Sequence, residues 1–339
     1  ISNSFQFTAS PNIDGGNSSF HLKIKAMKIF FTILIVTCCF LSCDSLVELD
    51  TPKSQIVSSK VFGSDAGVRS ALAGMYAQMM SGPAFASGGA NGITAIAGLS
   101  ADELDNHTIQ PDRNGLYTNS LTPFTTPVSL WNEMYKSIYN ANSILEGLTT
   151  STGVTKEVKS QAVGEALVVR AFSYFYLINF YGDVPLLTST DYRINRVAAR
   201  VNVELVYQQI EHDLVEARDM LLDDYSFSNG EKIQPNKWTA RALLARTFLY
   251  QQKWALAETE ATSIIENGPF SLNSTLDDVF TANSSEAIWQ LMPVVPRVNT
   301  FDAQYFYGRF DVADVTLSDV VLAFFESGDN RSTAWISNY

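Results

Sequence analysis

At 339 residues the chain exceeds the usual size of one domain and can bury a large core. Its formal charge of −12 argues against a surface built for nucleic acid or anionic membranes, and solubility is the simpler reason for it. Three cysteines and three histidines leave little for thiol or imidazole chemistry.

Residues 1–26 are polar and rich in Ser and Asn, and read as a non-native extension upstream of the true start at Met27. Met27-Lys28 precedes an apolar run, residues 29–41, which is too short for the roughly 20 residues of a membrane span but suits a signal-peptide core. The run closes on Phe40-Leu41-Ser42-Cys43. Residues 27–42 therefore read as a signal peptide cut before Cys43, the residue that would carry lipid. Phe40 departs from the usual pattern, where Leu is commoner. Cys38 and Cys39 leave with the signal, so the expected mature chain has no free thiol, no disulfide and no cysteine metal site. Residues 1–42 hold three lysines and one aspartate, so what remains carries −14.

Residues 43–59 form a tether, with acidic Asp44, Glu48 and Asp50 just behind the anchor. A helix is expected over 64–80, with Ser64 and Asp65 at its cap. Residues 81–127 then lose periodicity. They hold Gly82, Gly88, Gly89, Gly92, Gly98 and Gly115 with Pro83, Pro111, Pro123 and Pro127, the punctuation of long irregular loops, which are usually functional or disordered, and the aromatic and apolar content here favours function.

Helical patterns resume at 128–148, 156–181, 202–222, 237–251 and 253–266. The second is apolar on almost every side around Phe172, Phe175 and Ile178, so it is expected between other helices. Gly182 and Pro185 end it and bias Val184 toward extended geometry. The last two patterns fit a tetratricopeptide hairpin, with Leu244, Ala245 and Phe248 facing Ala257 and Ala261. From Phe270 onward, short apolar runs such as residues 287–292 read as strands or loop arms. The fold class is mainly α: a tetratricopeptide-like scaffold with long irregular loops and a few short strands.

Catalytic patterns are thin. No H-E-x-x-H, G-x-S-x-G or P-loop occurs. His212 reads as a solvated helix-face residue. His107 sits among Asp102, Glu103 and Asp105, which is more often turn chemistry than a metal site.

The run Glu165, Ala166, Arg170, Ala171, Tyr174, then Tyr181, Gly182, Asp183, Val184, Pro185 and Leu186 resembles the SusD/RagB family, surface nutrient-binding lipoproteins of Bacteroidetes. Similar matches follow in order: Trp131, Tyr135, Ile138, Ala141, Asn142, Ile144 and Leu145 before it, then Arg200 to Ala217 after it, the hairpin, a Glu286 to Gln290 strand, and LSDVVLAFFESGDNR. They run from about Cys43 to the end, and residues 60–339 read as a family domain incomplete at its C-terminus. The resemblance implies a lipid-anchored protein of the outer-membrane surface that captures an oligosaccharide and passes it to a TonB-dependent, SusC-like transporter. It implies neither enzyme activity nor a cofactor. Peptide cargo and a helical scaffold that binds only proteins are the alternatives.

Candidate ligand contacts are loop aromatics with polar neighbours, because a sugar offers an apolar C–H face and a rim of hydroxyls. They are Phe85, Asn91, Asp102, Arg113, Asn114 and Tyr117 in the first loop, then Tyr305, Tyr307 and Arg309. Phe124, Asn299, Phe301, Phe306 and Phe310 stand nearby. The run QYFYGRF alternates, so an extended segment would put Tyr305, Tyr307 and Arg309 on one face.

Overall fold

The structure, a computed structural model, describes residues 58–81, 86–123, 128–295, 299–307 and 313–336, together with Met27. Cys43, the rest of the signal peptide, the tether to residue 57, Phe85, Phe124, Arg309 and Phe310 lie outside the described residues.

Helix α1 (Asp65–Met80) begins where the Ser64 hydroxyl oxygen accepts from the Gly67 amide at 3.3 Å. Asp65 turns elsewhere. Its carboxylate accepts from the Thr155 amide at 2.8 Å and the Thr155 hydroxyl at 2.9 Å, tying α1 to the start of a later helix. The stretch expected to be one irregular loop holds two short helices, α2 (Ile93–Ser100) and α3 (Pro111–Tyr117), and a strand, β1 (Leu104–Asn106). At eight residues α2 is too short to display a period, yet it buries Ala95, Ile96, Gly98 and Leu99. Pro111 is not a breaker here. It stands at the start of α3, where its missing N–H costs nothing.

The long helices match their sequence patterns to within two residues: α4 (Val128–Thr149), α5 (Lys156–Tyr181), α6 (Val203–Met220), α7 (Lys237–Tyr250) and α8 (Trp254–Asn267). Helix α5 is the axis, with α1, α4 and α6 packed around it and α7 and α8 continuing outward from α6 as a hairpin. Its Ala162, Ala166, Val168, Val169, Ala171, Tyr174 and Leu177 have no exposed surface. His212 on α6 is mostly exposed, as its pattern predicts.

The buried charged residues on this axis, Glu165 and Arg170, are held by partners on neighbouring helices. Arg170 donates from Nε and Nη2 to the Asp213 carboxylate at 2.8 and 2.7 Å, and from Nη1 to Asn142 Oδ1 at 2.8 Å, joining α5 to α6 and α4. Gln209 adds a bond to Asp213 at 2.7 Å. Glu260 on α8 accepts from Arg218 at 2.9 Å and Arg241 at 2.6 Å, fastening the hairpin to α6.

Glu165 is fully buried, accepting from the Tyr76 hydroxyl and from Gln161 Nε2 at 2.8 Å. Burial pushes its carboxyl up to about 7, against the hydrogen bonds of Tyr76 and Gln161 and the charge of Arg69. The native state thus keeps a proton that the unfolded chain releases near 4.5. This contribution to stability is full below pH 4.5 and is lost as pH rises through about 7. We expect a decline on the order of 3 kcal/mol across that window. Urea unfolding across the window tests it: Glu165→Gln should flatten the profile, and an unchanged slope would count against the assignment.

Helix α5 ends at Gly182, whose φ of +66° suits only a residue without Cβ. The chain leaves through β2 (Val184–Pro185), which pairs antiparallel with β3 (Arg200–Val201). Core side chains hold this arm: Tyr135 donates to Pro185 O at 2.7 Å, Asn142 to Leu187 O at 3.0 Å, and the Tyr174 hydroxyl bonds both Leu187 O and Leu187 N. Residues 286–292 form a loop arm and not a strand, because their partners are irregular. Gln290 N donates to Lys232 O at 2.8 Å, and Trp289 packs its ring against Tyr76 and Phe172.

Candidate functional site

Two stretches far apart in sequence meet on one wall. Strand β1 pairs antiparallel with β4 (Val315–Leu317), in the register Leu104↔Leu317, Asp105↔Thr316 and Asn106↔Val315. Ser318 extends this join, its amide donating to Glu103 O at 3.0 Å and its hydroxyl to Asp102 O at 2.7 Å. His107 Nε2 and Thr316 Oγ1 are hydrogen-bonded at 2.8 Å. A second tie forms where the Gly89 amide donates to Asp302 Oδ1 at 2.8 Å. Gly89 has a φ of +54°, and a Cβ there would meet the Phe301 carbonyl oxygen at 3.0 Å. Burial raises the Asp302 carboxyl, while its bonds from Gly89 and Thr94 pull it down.

Over this join lies a groove of about 990 Å³, lined by Phe306, Phe324, Trp335, Leu317, Asp102 and Glu103 among others. A recess of about 420 Å³ shares Asp102 and Val320 with it and adds Asp105, Tyr117, Ser318 and Asp319. Phe324 is 74% exposed and Trp335 36%. Trp335 is held edge-on by Phe280 at 5.0 Å and donates from its indole to Leu276 O at 3.1 Å. Tyr117 donates to Asp105 Oδ1 at 3.2 Å, and the charge of Asp105, this bond, burial and the charge of Asp102 all raise its phenol. Asp102 turns the chain with a φ of +59°.

The predicted contacts fall into three groups. Asp102 and Tyr117 line the recess, with Asn114 exposed on the same short helix. Arg113 is buried and Asn91 and Tyr305 are half-buried: Arg113 is only 4% exposed and donates to Asn91 Oδ1 at 2.8 Å with Asp112 at 3.9 Å, while burial raises the Tyr305 phenol and the charge of Arg113 lowers it. Phe85 and Arg309 lie outside the described residues.

The extended reading of QYFYGRF is corrected. Residues Phe301–Phe306 form α9, begun by Thr300, whose hydroxyl oxygen accepts from the Ala303 amide at 3.1 Å. Two residues along a helix turn through about 200°, so Tyr305 packs inward against the core and Phe306 while Tyr307 points out, 74% exposed. Phe324, Trp335 and Asp319 were not singled out from sequence. They sit in or just after a segment read only for its family pattern, and the aromatic residue types of Phe324 and Trp335 were the available signal.

A family model described as "Starch-binding associating with outer membrane" matches residues 53–249, more than half the chain. The chain belongs to the SusD-like family. Among curated SusD-like proteins, P25 of Formosa agariphila is 26% identical over 79% of this chain and 52% of its own length. The chain spans about half the length of the curated relatives it matches. A SusD superfamily protein from Bacteroides thetaiotaomicron shares the fold, with a TM-score of 0.66 at 21% identity over 77% of this chain and 61% of that one. A laminarin-binding SusD-like protein aligns with a TM-score of 0.57 at 23% identity over 64% of this chain and 48% of that one. The SusD-like signature residues Glu165, Arg170, Tyr174 and Asn142 all point into the helical core here, away from the groove. Among the described residues no helix is long and apolar enough to cross a membrane, and no group of His, Cys, Asp and Glu could hold a metal ion.

Proposed function

We propose that this SusD-like protein binds an oligosaccharide in the groove above the β1–β4 join and passes it to a TonB-dependent transporter, acting as a binding protein and not as an enzyme. The observation that carries this reading is the pairing of exposed rings with hydroxyl acceptors. Phe324 and Trp335 offer apolar faces to the C–H side of a sugar, and Asp102, Asp105 and Tyr117 offer groups to its hydroxyls. Tyr307, just after α9, and Asn114, on α3, are exposed and are proposed as further contacts. The family description and the laminarin-binding neighbour support glycan as the ligand class.

Calorimetric titration of oligosaccharides into wild type, Phe324→Ala and Tyr307→Ala tests the site. By analogy with base stacking on aromatics, losing a ring should remove about 1–3 kcal/mol, or fivefold or more in affinity. Both rings are exposed, so melting temperatures should hold. Unchanged affinity in Phe324→Ala would move the site elsewhere.

We further propose that a lipid on Cys43 attaches the protein to the outer membrane. Cys43→Ala should shift it from the membrane fraction to soluble or mis-processed forms, because the acyl chains supply the attachment. Palmitate labelling that survives the substitution would refute the anchor.

A further inference from the structure

The glycan reading leaves the class of glycan open, and the charge of the groove narrows it. Asp102, Glu103, Asp105 and Asp319 line the groove and its recess, and among the described residues no lysine, arginine or histidine lines them, His107 standing beside the groove on Thr316. None of the four carboxylates is in an ion pair among the described residues. Arg113, behind this wall, is buried and committed to Asn91 and Asp112. Tyr117 reports the local field from inside the recess: the charges of Asp105 and Asp102 both disfavour its phenolate.

We propose that this groove takes uncharged glycans and rejects those carrying sulfate or uronate groups. The inference rests on the glycan reading above. A neutral sugar hydroxyl donates to a carboxylate in a charge-assisted hydrogen bond, so the four acids attract an uncharged ligand. A sulfate or uronate held against the same rings would stand beside unpaired like charges in a partly enclosed space, where repulsion exceeds its value in bulk water. The rings and the shape make the site, and the carboxylates choose among its ligands.

Calorimetric titration of the full chain tests this with two panels of matched length. Laminarin, starch and xylan oligosaccharides are the uncharged probes; alginate and sulfated carrageenan oligosaccharides are the anionic ones. At low salt the best uncharged probe should bind at least about tenfold tighter than any anionic one. Raising the salt should narrow the gap by screening the repulsion. The double variant Asp102→Asn, Asp319→Asn should narrow it at low salt, and both positions are exposed, with Asn able to keep the positive φ at residue 102. An anionic oligosaccharide that binds wild type as tightly as the best uncharged probe at low salt overturns the charge rule and leaves the glycan reading standing. Failure of every probe in both panels removes the glycan reading and this inference with it.

Discussion

Replacing Arg170 with leucine should lower the stability of this protein by about 3–5 kcal/mol. The cause is the charge left behind. Asp213 has no exposed surface, and its carboxylate is neutralised by the two Arg170 donors at 2.7 and 2.8 Å, with Gln209 the other donor. Leucine restores apolar volume but leaves a buried anion with Gln209 as its hydrogen-bond donor and the exposed His212 imidazole 3.8 Å away, and Asn142 Oδ1 without its donor. The double variant Arg170→Leu, Asp213→Leu should be far less damaging than the single one, because no charge is stranded. Guanidinium unfolding of all three proteins measures the effect. A midpoint for Arg170→Leu equal to wild type would mean that the pair contributes nothing to holding α5 against α6.

A comparable loss should follow Phe175→Ala, about 3–5 kcal/mol, through packing alone. The ring is 4% exposed and is met edge-on by Tyr250 at 4.9 Å and Tyr176 at 5.5 Å, so truncation leaves a void between α5 and α7 that rigid neighbours cannot fill. Glycan affinity of the folded fraction should be unchanged, since the ring does not line the groove. A retained melting temperature with lost binding would show that core and site had been exchanged.

Sequence carried the helical scaffold because its signals are local. An apolar pattern of 26 residues needs no partner to be read as the buried helix α5, and Ser64 and Gly182 mark their boundaries through bonds and backbone angles of their own neighbourhood. The site was legible only in part. Asp102 and Tyr117 were found because loop aromatics and acids are a recognisable class, but Arg113 read as an exposed contact until Asn91, 22 residues away, proved to hold it inside. Tyr305 was misplaced for a different reason. Aromatics spaced by two mimic a strand, and Thr300 as a helix cap was the stronger local signal. Helix α2 was missed because Gly92 and Gly98 looked like turn residues, whereas one starts the helix and the other packs its Cα against Leu104. Phe324 and Trp335 needed the β1–β4 pairing, and no window of sequence contains both strands.

That pairing also sets a schedule. The helical scaffold from α4 to α8 is built from helices that follow one another in sequence, so its contacts are far more local than those of the groove. The groove waits on Gly89 meeting Asp302 and Leu104 meeting Leu317, each 213 residues apart. Closing so long a loop costs chain entropy that only a preformed scaffold can reduce. We expect the wall that would receive cargo to be completed after the scaffold, and its contacts to be among the first to open when the protein breathes.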